Sequence, residues 1–323
     1  MVNSKLQQLQ TTTQKEGIDY IKRDDIRLIE LIGSGYVGEV YKAVYNHKTV
    51  VVKKLTSNSY NHGKEDDMLY SDLLDELHVG YNLHKNQHLI QFYGYSFKET
   101  SNETILYIVM EHFDGSKDLG KYIYHDEYWT PLTKQEYENS TSNTTMYHEN
   151  KYWDYTMDTN SKLIMMKQAC LAIDNLHKQG VVHCDIKPGN MLYDGNLIKL
   201  IDFNASVKLG NKDYIEGKKH QGTPGYMPIE MYNGRIGYSS DIYSIGVSML
   251  EMWFGDIWPQ KTYTYKKTRK YVLDYLSLLK QDNESLYNLI KKCTNPREKF
   301  RPTLDSIINT LDGLINQDRN QSE

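Results

Sequence analysis

The feature that most constrains this chain is a glycine-rich turn between two short runs of strand-like sequence. Residues 33–40 read GSGYVGEV, which is the spacing G-x-G-x-x-G-x-V. Glycines at such a turn let backbone N–H groups approach phosphate oxygens with no Cβ in the way. Dinucleotide-binding folds use similar spacing, but they need a helix directly after the glycines. Residues 40–44 instead alternate like a strand, so we expect the loop to join two strands.

A lysine ends the next strand-like run. Lys53 follows Val50-Val51-Val52 and comes thirteen residues after Val40. A lysine at the end of an apolar strand is costly to bury unless an anion pairs with it. That anion is either a nucleotide phosphate or a carboxylate from a facing helix.

The hydrophobic pattern changes along the chain and predicts the fold class. Residues 26–55 and 105–110 read as strands, whereas residues 161–179 and most of the sequence after 239 carry helical spacing. Residues 1–23 are polar and read as an extension or a frayed helix. We therefore expect an α+β protein in two lobes, with a small β-rich lobe first and a larger helical lobe second.

Composition excludes several classes of protein. The 38 Lys and Arg residues against 42 Asp and Glu residues give a net charge of −4, which argues against nucleic acid as the main partner. No run approaches the roughly 18 apolar residues of a membrane span, and the N-terminus lacks the apolar core of a signal peptide. Three scattered cysteines fit neither a disulfide framework nor a zinc site. These features together predict a soluble protein of a reducing compartment, the cytoplasm.

Residues 124–160 stand apart in composition. They contain seven Asp or Glu residues against two Lys, together with eight Tyr or Trp residues. We interpret them as an insertion between two helices. One hypothesis is that it docks a basic partner, and the alternative is a solvated loop with a few aromatic side chains packed onto the lobe.

A second cluster of chemically active residues follows the helical stretch. Residues 183–190 read HCDIKPGN, and Asp202-Phe203-Asn204 begins ten residues after Leu192. GTPGYMPIE at 222–230, DIYSIG at 241–246 and RPT at 301–303 follow in that order. Together with the glycine loop and Lys53, this ordered set resembles a eukaryotic-type protein kinase over residues 26–312.

The resemblance implies a domain organisation and a branch of the family. It implies an N-lobe over residues 26–110 and a C-lobe over 114–312, flanked by a polar extension at 1–25 and a polar tail at 313–323. Lys187 and the Gly222-Thr223 pair resemble the serine/threonine branch. The glycine-loop sequence is also similar to the tyrosine-kinase-like group of that branch.

The resemblance further implies how ATP binds. The glycines cover its phosphates, a hinge follows the gatekeeper methionine, and apolar side chains enclose the adenine. The residues expected to contact ATP are Gly33, Gly35, Gly38, Val40, Val51, Lys53, Met110, Glu111, Phe113, Asp118 and Leu192.

The same resemblance assigns the catalytic and metal-binding roles. Asp185 accepts the proton of the substrate hydroxyl, Lys187 neutralises the γ-phosphate, and Asn190 and Asp202 hold Mg²⁺. Phosphoryl transfer asks a protein mainly for in-line positioning and for cations near the developing charge. Oxygen ligands such as these are what hard cations prefer.

The helix partner of Lys53 has two candidates. The spacing favours Glu76, which leaves Gly80 one turn later, where the family has an apolar residue that bridges to Phe203 and His183. The alternative is Asp75 with Val79, although the shorter Asp75 side chain reaches less far.

The resemblance also predicts contacts that brace the catalytic loop and the substrate platform. Glu230 and Arg301 are expected to form a buried ion pair, and Asp241 is expected to bond the backbone of the catalytic loop.

Several residues depart from the family pattern. Cys184 replaces the arginine that pairs with a phosphate on the activation segment, so we expect activity that does not require phosphorylation between residues 202 and 230. Asn204 replaces a glycine and is expected near positive φ, which asparagine tolerates better than most residues. Val51 replaces an alanine above the adenine.

These observations leave three hypotheses. The first is an active serine/threonine protein kinase that uses ATP and Mg²⁺ and phosphorylates a protein. The second is a pseudokinase that acts as a scaffold or allosteric partner. The third, a small-molecule phosphotransferase, fits the protein-directed platform at 222–230 less well.

Overall fold

The computed structural model describes residues 2–35, 38–55, 66–83, 86–100, 104–124, 157–210, 212–217, 222–258 and 264–322. The chain divides into two compact units. The first comprises residues 1–115 and 201–206, and the second comprises residues 116–200 and 207–323. Most of the acidic stretch at 124–160, namely residues 125–156, lies outside the described residues, so its role stays a prediction.

The first unit contains one five-stranded antiparallel sheet in the order β1-β2-β3-β5-β4. Its strands are β1 (Arg27–Gly35), β2 (Gly38–Tyr45), β3 (Lys48–Leu55), β4 (Phe92–Glu99) and β5 (Thr104–Glu111). The glycine loop therefore joins two paired strands, as the alternation of residues 40–44 predicts. The prediction of strands in this part of the chain is confirmed.

One face of this sheet carries a buried hydrophobic cluster of the first unit. Ala43, Val50, Val52 and Val109 are at most 1% exposed and pack in one cluster. Side chains alternate between the two faces of a strand. The residues between these core positions are therefore presented on the opposite face.

The described residues of the first unit also form two α-helices, α1 (Val2–Lys15) and α2 (Asp66–Asn82). The polar N-terminal stretch is thus helical over fourteen residues. Its Leu6, Leu9 and Thr13 are buried, and their spacing places them along one stripe of the helix. Helix α2 falls where Leu69, Leu73, Leu77 and Leu83 predict a helix.

The second unit is mainly helical, as expected. Its helices are α3 (Leu119–Tyr124), α4 (Thr159–His177), α5 (Ile229–Tyr232), α6 (Tyr238–Phe254), α7 (Tyr265–Asp282), α8 (Glu284–Cys293) and α9 (Leu304–Ser322). Helix α4 begins where the Asp158 carboxylate accepts the Ser161 N–H at 2.7 Å, which satisfies a free backbone donor of the first turn.

Short strands connect these helices and hold the loops between them. They are β6 (Lys117–Asp118), β7 (Val181–Val182), β8 (Met191–Tyr193), β9 (Ile198–Leu200), β10 (Val207–Lys208), β11 (Tyr214–Glu216) and β12 (Arg235–Gly237). They pair as β6-β8-β9, β10-β7 and β11-β12. Among the described residues, no helix combines the length and the apolar character that crossing a membrane requires.

Candidate active site

Lys53 lies at the centre of a buried network in the first unit. Its Nζ donates to Oε1 and Oε2 of Glu76, each at 3.0 Å, and to Oδ1 of Asp202 at 3.1 Å. Lys53 is 8% exposed and Glu76 is 1% exposed. Asp75, the alternative partner, is exposed. The carboxylate of Glu76 is therefore the one that pairs with Lys53 in this structure.

The charge on Lys53 is stabilised by its partners. Burial opposes that charge, but the carboxylates of Glu76 and Asp202 outweigh it, so the pKa of Lys53 lies above its ordinary value. A buried ammonium held in this way stays protonated, and it can offer its charge to a phosphate.

The register of the sheet gathers other predicted residues on the face of Lys53. Val40 pairs directly with Lys53, and Val51 pairs directly with Met110. Directly paired residues share a face, as do residues two apart on one strand. Gly33 pairs with Val40 and extends the same row. Sheet geometry alone therefore brings the predicted adenine-side and phosphate-side residues together.

Four further predicted residues lie in or beside the same sheet. A Cβ added at Gly38 would lie 2.2 Å from the Lys54 carbonyl oxygen, so only glycine fits this approach of two strands. Glu111 pairs with Val50 on the opposite face, and its carboxylate accepts the Gln91 N–H at 3.1 Å. The structure therefore does not bring the Glu111 side chain to the face of Lys53. Gly35 pairs with Gly38, and Phe113 is half-buried.

Asp202 adopts a strained backbone conformation. Its φ is 64°, in the left-handed region, which costs a non-glycine residue energy and is often found at functional sites. The expectation for Asn204 was wrong, because Asn204 is not among the described non-glycine residues with positive φ. Its side-chain Nδ2 instead donates to Asp202 Oδ1 at 2.6 Å, which fixes the orientation of that carboxylate.

Gly80 lacks a side chain, and an aromatic ring fills the space beside it. A Cβ added at Gly80 would lie 2.5 Å from Cε2 and Cζ of Phe92. The Phe92 ring in turn contacts the Phe203 ring, with centroids 5.8 Å apart. Phe92 thus supplies the contact with Phe203 that the sequence assigned to residue 80. In the sequence, the one indication of this Phe92–Phe203 contact is the missing side chain at Gly80.

The second unit carries the other catalytic candidates on one loop. Lys187 Nζ donates to Asp185 Oδ2 at 2.8 Å and to Thr223 Oγ1 at 2.6 Å. The Thr223 N–H donates to Asp185 Oδ1 at 2.7 Å, and Asn190 Nδ2 donates to Asp185 Oδ2 at 2.8 Å. Both oxygens of Asp185 are therefore held by fixed donors, and the predicted trio of Asp185, Lys187 and Asn190 is brought together.

These donors also set the ionisation of Asp185. Burial disfavours its charged form, but Lys187 and the bond from Thr223 together outweigh burial, and the pKa of Asp185 lies below its ordinary value. Asp185 is thus ionised near neutral pH, as an acceptor for a hydroxyl proton must be.

Asp241 holds the backbone of this loop, as the sequence predicts. Its Oδ2 accepts the His183 N–H at 2.8 Å and its Oδ1 accepts the Cys184 N–H at 2.9 Å. Cys184 has a φ of 67° and is 1% exposed, so these bonds hold a strained residue in place. His177 Nε2 lies 2.9 Å from Asp241 Oδ2. The sequence analysis did not predict this contact, because helical spacing at 161–179 does not show which distant carboxylate a side chain meets.

The expected ion pair beneath the substrate platform is also present. Arg301 bonds Glu230 through two nitrogens, with Nη2 3.0 Å from Oε2. Its Nη1 also donates to the Ser239 carbonyl at 2.8 Å. Both side chains are at most 10% exposed. This pair fixes helix α5 to the loop before α9.

Asp118 and Leu192 pair directly between β6 and β8. Asp118 Oδ1 accepts the Lys121 N–H at 2.7 Å, so one oxygen caps helix α3 and the carboxylate has a fixed orientation. The sheet register thus brings together the residues expected at the ribose and beneath the adenine.

Each unit has one side-chain oxygen of the kind that binds the metal implied by the resemblance. Within the described part of the chain, Asp202 Oδ2 and Asn190 Oδ1 accept no hydrogen bond, although the other polar atom of each group is bonded. No group of three His, Cys, Asp or Glu residues suited to a metal occurs among the described residues. Mg²⁺ does not need such a cage, because it commonly binds one or two protein oxygens together with water and substrate phosphates.

Comparison with known proteins gives a family match over most of the chain. Residues 26–311 match the family model described as protein kinase domain. The probable serine/threonine-protein kinase fnkE of Dictyostelium discoideum is 27% identical over 238 residues, which cover 71% of this chain and 16% of that protein. Serine/threonine-protein kinase MPS1 of Encephalitozoon cuniculi is 23% identical, with 90% of this chain and 43% of that protein covered.

A bacterial protein is similar over a comparable stretch. Serine/threonine-protein kinase A of Synechocystis sp. is 27% identical over 322 residues, which cover 89% of this chain and 53% of that protein. The chain thus spans between 16% and 53% of the length of these three relatives.

Proposed function

The chain belongs to the protein kinase domain family, and from that membership we propose that it is an active serine/threonine kinase. It transfers the γ-phosphate of ATP to a hydroxyl group of a protein substrate and depends on Mg²⁺. The observation that carries this proposal is the Lys53–Glu76 ion pair, formed at 3.0 Å with Asp202 bonded to the same ammonium. The names of the three similar kinases support the choice of serine and threonine.

In this proposal Asp185 orients the substrate hydroxyl and accepts its proton. The bonds from Thr223 and Asn190 hold the carboxylate in one orientation, so little reorganisation is needed when the proton moves. Lys187 bonds both Asp185 and Thr223. Its positive charge lies on the same loop as Asp185, which accepts the proton of the substrate hydroxyl.

The remaining assigned residues bind the nucleotide and the metal. Lys53 holds the α- and β-phosphates, and the paired rows of Val40, Val51 and Met110 enclose the adenine. Asn190 and Asp202 would hold Mg²⁺, and each has a side-chain oxygen that takes no hydrogen bond from the described residues. When bound, Mg²⁺ neutralises charge that develops on the phosphates.

The other residues implied by the resemblance belong to the same proposal. The ATP site includes Gly33, Gly35, Gly38, Glu111, Phe113, Asp118 and Leu192. The kinase domain comprises residues 26–312, divided at 110–114. A cytoplasmic location also remains part of the proposal, since the three cysteines are free thiols.

The direct test is phosphate transfer by the full chain. We expect incorporation from ATP into a generic basic protein when Mg²⁺ is present, with phosphoserine and phosphothreonine identified by mass spectrometry. Asp185→Asn and Lys53→Met should each lower kcat/KM by about 10²–10⁴-fold, because the first removes the proton acceptor and the second a phosphate-binding charge. No turnover by the wild-type chain, combined with no Mg²⁺-dependent thermal shift by ATP, would favour the pseudokinase hypothesis instead.

We also propose that activity does not require phosphorylation of the activation segment. Cys184 offers no charge to a phosphate, and other contacts hold the segment. Strand β10 pairs with β7, and β11 pairs with β12. The Arg235 guanidinium lies 3.7 Å from the Tyr214 ring centroid and bonds Glu298 at 3.0 Å. In this proposal these contacts keep the activation segment ordered, a role that a phosphate group would otherwise have.

This second proposal has its own experiment. Protein treated with phosphatase should keep the full rate, and Ser206→Ala and Tyr214→Phe should change kcat less than about twofold, since neither removes a proposed catalytic group. Arg235→Leu should lower activity more than either. A phosphate-free chain that stays inert until the segment is phosphorylated would contradict the proposal.

A further inference from the structure

A segment outside the family match is built into the first unit. The N-terminal segment, residues 2–21, precedes the matched residues 26–311. Its Leu6, Leu9, Ile18 and Ile21 are at most 4% exposed. A chain that buries apolar side chains along its whole length is held as part of the fold.

The N-terminal segment contacts the helix that carries Glu76. Glu16 Oε2 lies 2.9 Å from His78 Nδ1, and the Tyr81 hydroxyl donates to Asp19 Oδ2 at 2.8 Å. Both partners belong to α2, two and five residues after Glu76. Helix α1 packs along the same helix.

The same segment is bonded to the sheet through β4. The Tyr95 N–H donates to the Asp19 carbonyl at 3.0 Å, and the Ile21 N–H donates to the Tyr95 carbonyl at 2.8 Å. The buried Thr13 hydroxyl donates to the Tyr95 hydroxyl at 2.7 Å. A Cβ added at Gly94, whose φ is 146°, would lie 2.3 Å from the Asp19 carbonyl oxygen. Glycine at 94 is therefore what lets the segment approach this closely.

We propose that the N-terminal segment positions α2, and through it the Glu76 carboxylate at Lys53. The segment is bonded to α2 on one side and to the sheet that bears Lys53 on the other. It therefore limits movement of one partner of the ion pair relative to the other. Leu9, Asp19 and Tyr81 are positioning residues in this sense. The inference rests on the proposed kinase activity but concerns residues that lie outside the family match.

The experiment compares variants of the full chain. Leu9→Ala loosens the buried stripe of α1. We expect it to lower kcat about tenfold or more with little change in the KM for the protein substrate, because the segment acts on the Lys53–Glu76 pair. Hydrogen exchange of the α2 amides at 73–82 should quicken. Tyr81→Phe and Asp19→Asn should each lower kcat less, and their double variant should be no worse than the poorer single one.

Matched controls separate positioning from general loss of stability. Leu311→Ala removes a side chain that is 0% exposed in α9 and should not quicken exchange of α2 when both variants are assayed well below their melting temperatures. Gln8→Ala, on the exposed face of α1, should match the wild type in both measurements.

The decisive arm uses a Glu76→Gln background. If the segment acts through Glu76, Leu9→Ala should not lower kcat further in this background. A loss of kcat that adds to the loss from Glu76→Gln overturns the inference. Unchanged exchange of α2 in Leu9→Ala also overturns it. Exchange needs no turnover, so an inactive wild-type chain would defeat the proposed function while exchange still decides whether the segment positions α2.

Discussion

Gly80 offers the sharpest test of how the first unit is packed. A Cβ at this position would lie 2.5 Å from Cε2 and Cζ of Phe92 and 2.7 Å from Cδ2. Real Cβ contacts are essentially never this short, so Gly80→Ala forces the ring to move. Phe92 is 2% exposed and has little room to do so. Because the ring also contacts Phe203, its displacement would reach the residue beside Asp202.

The magnitude follows from two opposing effects. Overpacking a close-packed core costs about 1–3 kcal/mol, whereas replacing glycine by alanine inside a helix gains about 1 kcal/mol. We therefore expect Gly80→Ala to lower the free energy of unfolding by up to about 2 kcal/mol. Gly313 in α9 is the matched control, since an added Cβ there meets nothing within 4 Å. Gly313→Ala should stabilise the chain by about 0.5–1 kcal/mol.

The assay is a double-mutant cycle read by urea denaturation and by kcat. Phe92→Leu shortens the side chain that a new Cβ would strike, so the double variant should be more stable than the two single effects predict by about 0.5–3 kcal/mol. kcat should follow the same pattern. A Gly80→Ala variant as stable as Gly313→Ala, or strictly additive effects in the cycle, would refute the reasoning.

Two further predictions concern the second unit. Glu230→Gln should lower the free energy of unfolding, measured by chemical denaturation, by about 3–5 kcal/mol. The reason is that the Arg301 side chain, which is 1% exposed, would keep its charge buried without its anion. A change below about 1 kcal/mol would mean that this pair does not brace α5. The second concerns pH: the pKa of Asp185 is lowered in the folded chain, so its ionised form contributes stability above the unfolded pKa and loses that contribution as the pH falls through the folded value. Lys187→Met removes the main charge that lowers this pKa, whereas burial still raises it, so melting temperatures scanned over about pH 3–6 should fall less steeply with decreasing pH than in the wild type; an unchanged profile would contradict the assignment.

Local patterns were sufficient to predict most of this fold. Alternation of apolar residues located β2 and β3, and helical spacing located α2 and α4, because one face of each element is buried in the unit that contains it. The family spacing and the length of the side chain favoured Glu76 over Asp75, and the longer carboxylate is the one that bonds Lys53. The kinase resemblance also implied the contacts of Asp241 and Arg301.

What sequence reasoning missed depends on contacts between distant segments. Leu6 and Leu9 are too few to distinguish a docked helix from a polar extension, and their burial depends on a tertiary surface that no local pattern reveals. The sequence likewise does not show which side chain fills the space beside Gly80 in α2, because Phe92 reaches that space from strand β4. Asn204 was assigned a backbone role by analogy, whereas its short amide bonds Asp202 directly.

Three of the departures from the family pattern have other contacts in place of the expected ones, which bears on the choice between kinase and pseudokinase. At Gly80 the missing side chain is matched by the Phe92 ring, and at Asn204 the added amide bonds Asp202 Oδ1. At Cys184 the missing guanidinium coincides with the pairing of β11 with β12 and with the Arg235–Tyr214 contact, on which we base the proposal that no phosphate is required. At Asn204 the bond fixes a carboxylate proposed to hold Mg²⁺, and at Gly80 the Phe92 ring keeps the contact with Phe203. A scaffold would need the shape of the fold but not the ionised Asp185 or the buried Lys53 charge, and both are held by several donors or acceptors each. The network of bonds around Lys53 and Asp185 therefore favours an enzyme.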